Sequence, residues 1–158
     1  MAAKVKLLAI TSVVAALSLI ECTDVPNLNQ ACFRCLCHVY TNCKSSDDCS
    51  GDYCGPFTIS KVYWTEAGKI TLPGDDPASE NAWKECATDY NCAQKIVKGY
   101  LQKFVKDCNN DGEINCFDYM MINSNGGYNC TPPLDRSETG RMWLERYDEC
   151  HTKLNLLH

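Results

Sequence analysis

Positive charge is scarce in this chain: 15 lysines and arginines face 20 aspartates and glutamates over 158 residues, a net charge of −5. That balance excludes a nucleic-acid partner, which needs a basic face, and passive adhesion to an anionic membrane. No apolar run reaches the roughly 18 residues of a membrane-spanning helix. Histidine is down to 3 residues, none at finger spacing from the cysteines at 32, 35 and 37, which excludes a zinc finger. Internal repeats and low-complexity stretches are missing too. At about 100–200 residues per domain, the length leaves no room for a second sizeable core.

What the chain has in excess is cysteine, 13 in all. A cytosolic protein would not keep such a set oxidised, so the composition points to an oxidising compartment. The N-terminus agrees. Lys4 and Lys6 form a short basic region, and Leu7 to Ile20 is apolar apart from Thr11, Ser12 and Ser18. This is the pattern of a signal peptide covering residues 1–22, cut after Cys22, with a single secreted domain over 23–158. The cut removes one cysteine and leaves an even set: Cys32, Cys35, Cys37, Cys43, Cys49, Cys54, Cys86, Cys92, Cys108, Cys116, Cys130 and Cys150. Six disulfides follow, whose connectivity spacing alone does not reveal.

Periodicity outlines a mainly helical α+β domain. Cys32, Cys35, Leu36 and Val39 recur at helical spacing. The strongest helix is predicted from Cys92 to Lys106, with an apolar stripe through Ile96, Val97, Tyr100, Leu101 and Phe104 and Asn91 as its N-cap. A shorter helix is predicted near Phe117 and another over 140–150. Between Cys43 and Trp64, Phe57–Ile59 and Val62–Trp64 read as a small antiparallel hairpin, and Thr71–Glu80 follows as a Pro/Gly/Asp loop.

Spacing then carries a resemblance. Cys-Phe-Arg-Cys-Leu-Cys-His-Val-Tyr-Thr-Asn-Cys (32–43), Cys-Gly-Pro-Phe-Thr-Ile-Ser with Tyr63-Trp64 after it, Ala-Thr-Asp-Tyr-Asn-Cys-Ala (87–93), the Asp-Cys…Cys-x-Asp-Tyr block (107–119) and Gly-Gly-Tyr-Asn-Cys (126–130) follow in order. Together with Cys150 they resemble the invertebrate-type lysozyme, or destabilase, family over the whole span 32–150. The resemblance implies a lysozyme-like fold, bacterial peptidoglycan as the partner, no required cofactor and a monomer. It also implies hydrolysis of a glycosidic bond by two carboxyl groups. One is held protonated to donate to the leaving oxygen, and the other is ionised to attack or stabilise the sugar cation.

The same spacing shows where those groups belong. The family's acid is a glutamate three residues beyond the second cysteine of Cys-x-Cys, and here that position is Tyr40. A tyrosine hydroxyl, with an ordinary pKa near 10, is a far weaker acid than a carboxyl. The family's second carboxylate falls on Asp52 when counted from Cys49, but this stretch is short, and Asp47 or Asp48 are alternatives; Asp52 also reads as a loop carboxylate in a Gly-Asp turn. A histidine the family carries seven residues before Cys130 is Asn123 here. Glu66 and Glu85 lie in other blocks, with nothing to place them beside a sugar. The resemblance therefore implies the fold with weak or lost muramidase activity; the alternatives are an active muramidase that cleaves the β-1,4 bonds of peptidoglycan and a non-catalytic secreted binding protein. A Ser–Lys isopeptidase, credited to some members, is disfavoured: Tyr53 replaces the serine before Cys54, and Ser60 and Lys61 are adjacent, so they point apart in a strand.

Three further signals remain. Asp107, Asn109, Asp111, Gly112, Glu113 and Asp118 match positions 1, 3, 5, 6, 7 and 12 of a calcium-binding loop, although Asp replaces the usual Glu at 12. The alternative is a disulfide-tied turn at Asp111-Gly112, with Asn115 capping the next helix. Asn129-Cys130-Thr131 is a glycosylation sequon whose middle residue is a cysteine expected to be bridged. Trp64, Trp83 and Trp143 are expected in the core rather than on sugars, and His38, His151 and His158 on the surface.

Overall fold

Asn29 sets the first helix. Its side chain accepts from the Cys32 amide, satisfying one of the donors that a helix start leaves open, and α1 then runs Gln30–Thr41. The computed structural model describes residues 24–44, 49 and 51–155; the span 1–22 expected to be a signal peptide, Asp47, Asp48 and His158 lie outside them. After α1 come β1 (Tyr53–Cys54), β2 (Ile59–Ser60), α2 (Lys61–Glu66), α3 (Ala82–Thr88), α4 (Tyr90–Phe104), α5 (Cys116–Asn125), a 3₁₀ turn (Leu134–Arg136) and α6 (Glu138–Asn155). Among the described residues, no helix is long and apolar enough to cross a membrane.

The α+β, mainly helical expectation stands, and several boundaries move. The hairpin pairs Tyr53 with Ser60 and Cys54 with Ile59, one step earlier in the chain than Phe57–Ile59 with Val62–Trp64. Val62–Trp64 is helical, because Ser60 Oγ accepts from the Tyr63 amide at 3.1 Å and starts α2. Burial of Trp64, whose Nε1 donates to Ile70 O at 2.6 Å, then overrides the local β preference. The N-cap of α4 is Asp89 rather than Asn91. The Asp89 carboxylate accepts from Cys92 N at 2.7 Å, while Asn91 already lies inside the first turn. The same helix stops at Phe104, before Lys106. α3 has no counterpart among the helices expected from the sequence, although Ala82, Trp83, Cys86 and Ala87 recur at helical spacing and are buried; its start, Asn81, makes no side-chain cap bond.

The core gathers Leu36 and Val39 from α1, Ile96 and Leu101 from α4, and Met120 and Ile122 from α5, all fully buried. Cys35–Cys150 ties α1 to α6 and Cys32–Cys116 ties α1 to α5. Cys37–Cys43, Cys49–Cys54 and Cys86–Cys92 close short loops, and Cys108–Cys130 fastens the chain on both sides of α5. Thr41 Oγ1 donates to Pro56 O at 2.8 Å, holding the hairpin against the end of α1. Gly55, at φ 70°, lies so close to α3 that an added Cβ would sit 1.7 Å from Ala87 O; only glycine fits.

Candidate functional site

The end of α1 and the hairpin thus meet where the resemblance places the two carboxyl groups. Tyr40, one residue before Thr41, is half-buried under the Trp143 ring of α6, with centroids 5.3 Å apart and the rings edge to face. Its hydroxyl donates to Met120 O at 3.2 Å and lies 2.8 Å from Ser124 Oγ, both on α5. Burial pushes the Tyr40 hydroxyl well above its ordinary range, and the Ser124 contact offsets only part of this. Such a group holds its proton too tightly to serve as a general acid near neutral pH.

Asn123, where the resemblance places a histidine, accepts from Tyr63 Oη at 2.8 Å. The Tyr63 ring stacks on Tyr100 with centroids 3.7 Å apart. Burial, reinforced by the neighbouring Tyr100 and Tyr40 hydroxyls, keeps Tyr63 protonated. Asp52 is exposed in the turn that leads into β1, behind Gly51 at φ 60°. No bond links it to Tyr40 or Asn123. Ser60 is spent as the α2 cap, and both Lys61 and Tyr53 are exposed, which leaves no Ser–Lys dyad there.

Sequence reasoning passed over one cluster. Glu66 of α2 pairs with Lys103 of α4 and receives a 3.4 Å bond from Tyr128 Oη. The Lys103 ammonium bonded to Glu66 holds its carboxyl below the usual range, so it is ionised at neutral pH and is no acid. The available signal was spacing: Tyr63 and Glu66 share a face of α2, as Tyr100, Lys103 and Phe104 do on α4. Glu85 is exposed on α3. Trp64 and Trp83 are core residues, as expected. His38 is half-buried and faces Glu149 at 3.7 Å, and His151 stacks on Tyr147.

In the loop from Asp107 to Asp118 the carboxylate at the twelfth position is engaged by backbone donors, while Asp107 Oδ1 at the first position is buried without a hydrogen-bond partner. Asp118 is fully buried, and its two carboxylate oxygens accept from Cys108 N at 2.8 Å and Asn115 N at 2.9 Å. The second bond, with Phe117 N donating to Asn115 Oδ1, makes a capping box at the start of α5. The twelfth position is therefore turned into the fold. Gly112 N donates to Asp107 Oδ2, Asp111 N to Asn109 Oδ1 and Glu113 N to Asp111 Oδ1, so the loop closes on its own side chains. Among the described residues no three His, Cys, Asp or Glu side chains are grouped to hold a metal. Millimolar calcium is expected to leave the melting temperature within about 1 °C, whereas Asp118→Ala, orphaning two backbone donors, is expected to destabilise by about 2–4 kcal/mol. A calcium-dependent rise in melting temperature would restore the metal reading. The sequon Asn129 is exposed, accepting from Thr131 Oγ1 at 3.3 Å, beside the bridged and buried Cys130.

Fold and site together define a disulfide-stapled, lysozyme-like helical domain with its hairpin docked on the end of the first helix. The Destabilase family model matches residues 29–150. The lysozyme of Ostrea edulis is 31% identical over 127 residues, spanning 76% of this chain and 83% of its own. Invertebrate-type lysozyme 3 of Caenorhabditis elegans is 31% identical over 99 residues, 61% of this chain and 70% of its own. Among solved structures, Tapes japonica lysozyme superposes with a TM-score of 0.54 at 28% identity, covering 75% of this chain and 87% of its own. The inhibitor-bound lysozyme from Meretrix lusoria, at 23% identity and a TM-score of 0.56, shares the fold over 79% of this chain and 94% of its own. This chain belongs to the destabilase, or invertebrate-type lysozyme, family.

Proposed function

We propose that this is a secreted lysozyme-family protein that acts on bacterial peptidoglycan with weak or absent muramidase activity. The observation that carries the reading is Tyr40. Where the family resemblance calls for a carboxylic acid, a hydroxyl is bonded to Ser124 and to Met120 O and made still less acidic by burial. Loss of a positioned general acid lowers a rate by about 10²–10⁴. The ionised Glu66 offers no replacement proton. Six disulfides fit secretion into an oxidising medium.

The test pairs two measurements on the mature protein: clearing of a bacterial cell-wall suspension and retention on insoluble peptidoglycan. Retention with slow or no clearing is the expected result. Brisk clearing by the wild type would overturn the weak-muramidase reading. Absence of both retention and clearing would overturn peptidoglycan as the partner.

A further inference from the structure

We propose that Asn125 is a guarded deamidation site, whose conversion to aspartate or isoaspartate releases the end of α5 and the loop that follows it. Asn125 is the chain's one asparagine followed by glycine. Glycine lacks the Cβ that would crowd its own backbone nitrogen against the preceding side chain. The pair Asn125-Gly126 is therefore the point of the chain most open to this reaction, and the fold decides when it runs.

The chemistry needs water and no enzyme or cofactor. The Gly126 nitrogen gives up its proton to solvent and attacks Asn125 Cγ. The Cγ–Nδ2 bond breaks, and the leaving amide nitrogen takes up a proton and departs as ammonia. A five-membered succinimide remains, and water then opens it at one of its two carbonyl carbons. Attack at Cγ gives aspartate. Attack at the backbone carbonyl gives isoaspartate, in which the main chain runs through the former side chain and is one carbon longer.

The folded chain blocks the first step at each of its requirements. Asn125 is the last residue of α5, and a helical backbone aims the next nitrogen along the helix, away from the residue's own side chain. Gly126 N donates to Ile122 O at 2.9 Å, so its proton is already committed. Asn125 Nδ2 donates to Cys130 O at 3.0 Å and to Pro132 O at 2.9 Å, which holds the carboxamide against the loop. All of these bonds must open before Cγ and the nitrogen can meet, so conversion is confined to local openings of this segment.

The same bonds set the consequence. A carboxylate has no N–H to give. At position 125 it would face two carbonyl oxygens and leave both without their donor. The contacts on either side then lose their anchor. Gly127 N donates to Tyr100 Oη at 2.9 Å, and Gly127 rests so closely on the Phe104 ring that an added Cβ would lie 2.1 Å from Cγ. On the other side is Ser124, whose Oγ lies 2.8 Å from the Tyr40 hydroxyl. Cys108–Cys130 still tethers the far end of the loop. The change thus reaches Tyr40 through a single residue.

Nothing in this chemistry depends on the glycan reading above. The mature wild type is incubated folded and, in parallel, reduced and unfolded in urea, and peptide mass mapping follows amide-to-acid conversion at every asparagine. In the unfolded chain Asn125 is expected to convert ahead of all the others, and in the folded protein at least roughly 10-fold more slowly. Asn125→Asp is expected to melt roughly 5–10 °C below the wild type. Equal rates in the folded and unfolded chains would overturn the guard. An unfolded chain that converts other asparagines first would overturn the site. An Asn125→Asp variant that melts with the wild type would overturn the release.

Discussion

Tyr40→Glu is expected to clear bacterial cell walls at least about 100-fold faster than the wild type, the lower end of what a positioned general acid contributes. The pocket is suited to the exchange. A glutamate at this position lies beneath the Trp143 ring, and removal from water favours the neutral carboxylic acid. Met120 O, which now accepts from the tyrosine, would accept from that acid, and a bond to the neutral form raises a carboxyl pKa further. The proton would then be held near neutral pH, as the leaving oxygen requires. The sign of the pH dependence follows: clearing by the variant falls as pH rises through the raised carboxyl pKa. Tyr40→Gln, of similar size and without a proton to give, is expected to show no gain. Adding Asp52→Asn to Tyr40→Glu tests the second carboxyl, with a return to wild-type clearing as the expected result. No gain in Tyr40→Glu, with the fold intact by melting, would overturn Tyr40 as the position that limits clearing.

Much of this arrangement was legible from the cysteines, because their spacing acts as a ruler along the chain. Counting from Cys37 reached Tyr40, and the structure places that side chain against α5 and α6 rather than in open solvent. The α4 stripe was legible for a different reason: Ile96, Val97 and Leu101 are fully buried on one face, so periodicity and burial coincide. Where tertiary burial competed with local preference, reading failed. Val, Tyr and Trp at 62–64 look β-prone, yet the Ser60 cap and the buried Trp64 make them helical. The carboxylate of Asp118 was ambiguous because a metal ligand and a capping residue occupy the same position relative to a helix start. Only the direction of its side chain decides between them. Glu66, Lys103 and Tyr128 come from three separate segments, and nothing short of the folded chain joins them.

Removal of Cys35–Cys150 is expected to cost about 4 kcal/mol in stability, and removal of Cys37–Cys43 about 2 kcal/mol, if closure of the unfolded chain sets the scale. The two bridges start two residues apart on α1, and both starting cysteines are buried, so the local setting is similar. Their loops are not: the first joins positions 115 residues apart, which the intact Cys32–Cys116 bridge shortens to a loop of about 40 residues, and the second spans 6. Melting of Cys35→Ala/Cys150→Ala should therefore fall by roughly 12 °C, against roughly 6 °C for Cys37→Ala/Cys43→Ala, at about 3 °C per kcal/mol for a domain of this size. Equal falls would place the stabilisation in packing of the sulfurs rather than in chain closure. The long bridge also bears on the site. α6 is held to α1 by Cys35–Cys150 and by Arg146 Nη1 donating to Val39 O at 2.9 Å. The same helix carries Trp143 onto Tyr40. Without the bridge, Trp143 would cover its neighbour less firmly, and the Tyr40→Glu carboxyl would lose part of its apolar setting. The triple variant Tyr40→Glu/Cys35→Ala/Cys150→Ala should then clear walls more slowly than Tyr40→Glu at a temperature where both are folded. Its activity should also fall away at lower pH, because a better-hydrated carboxyl gives up its proton sooner.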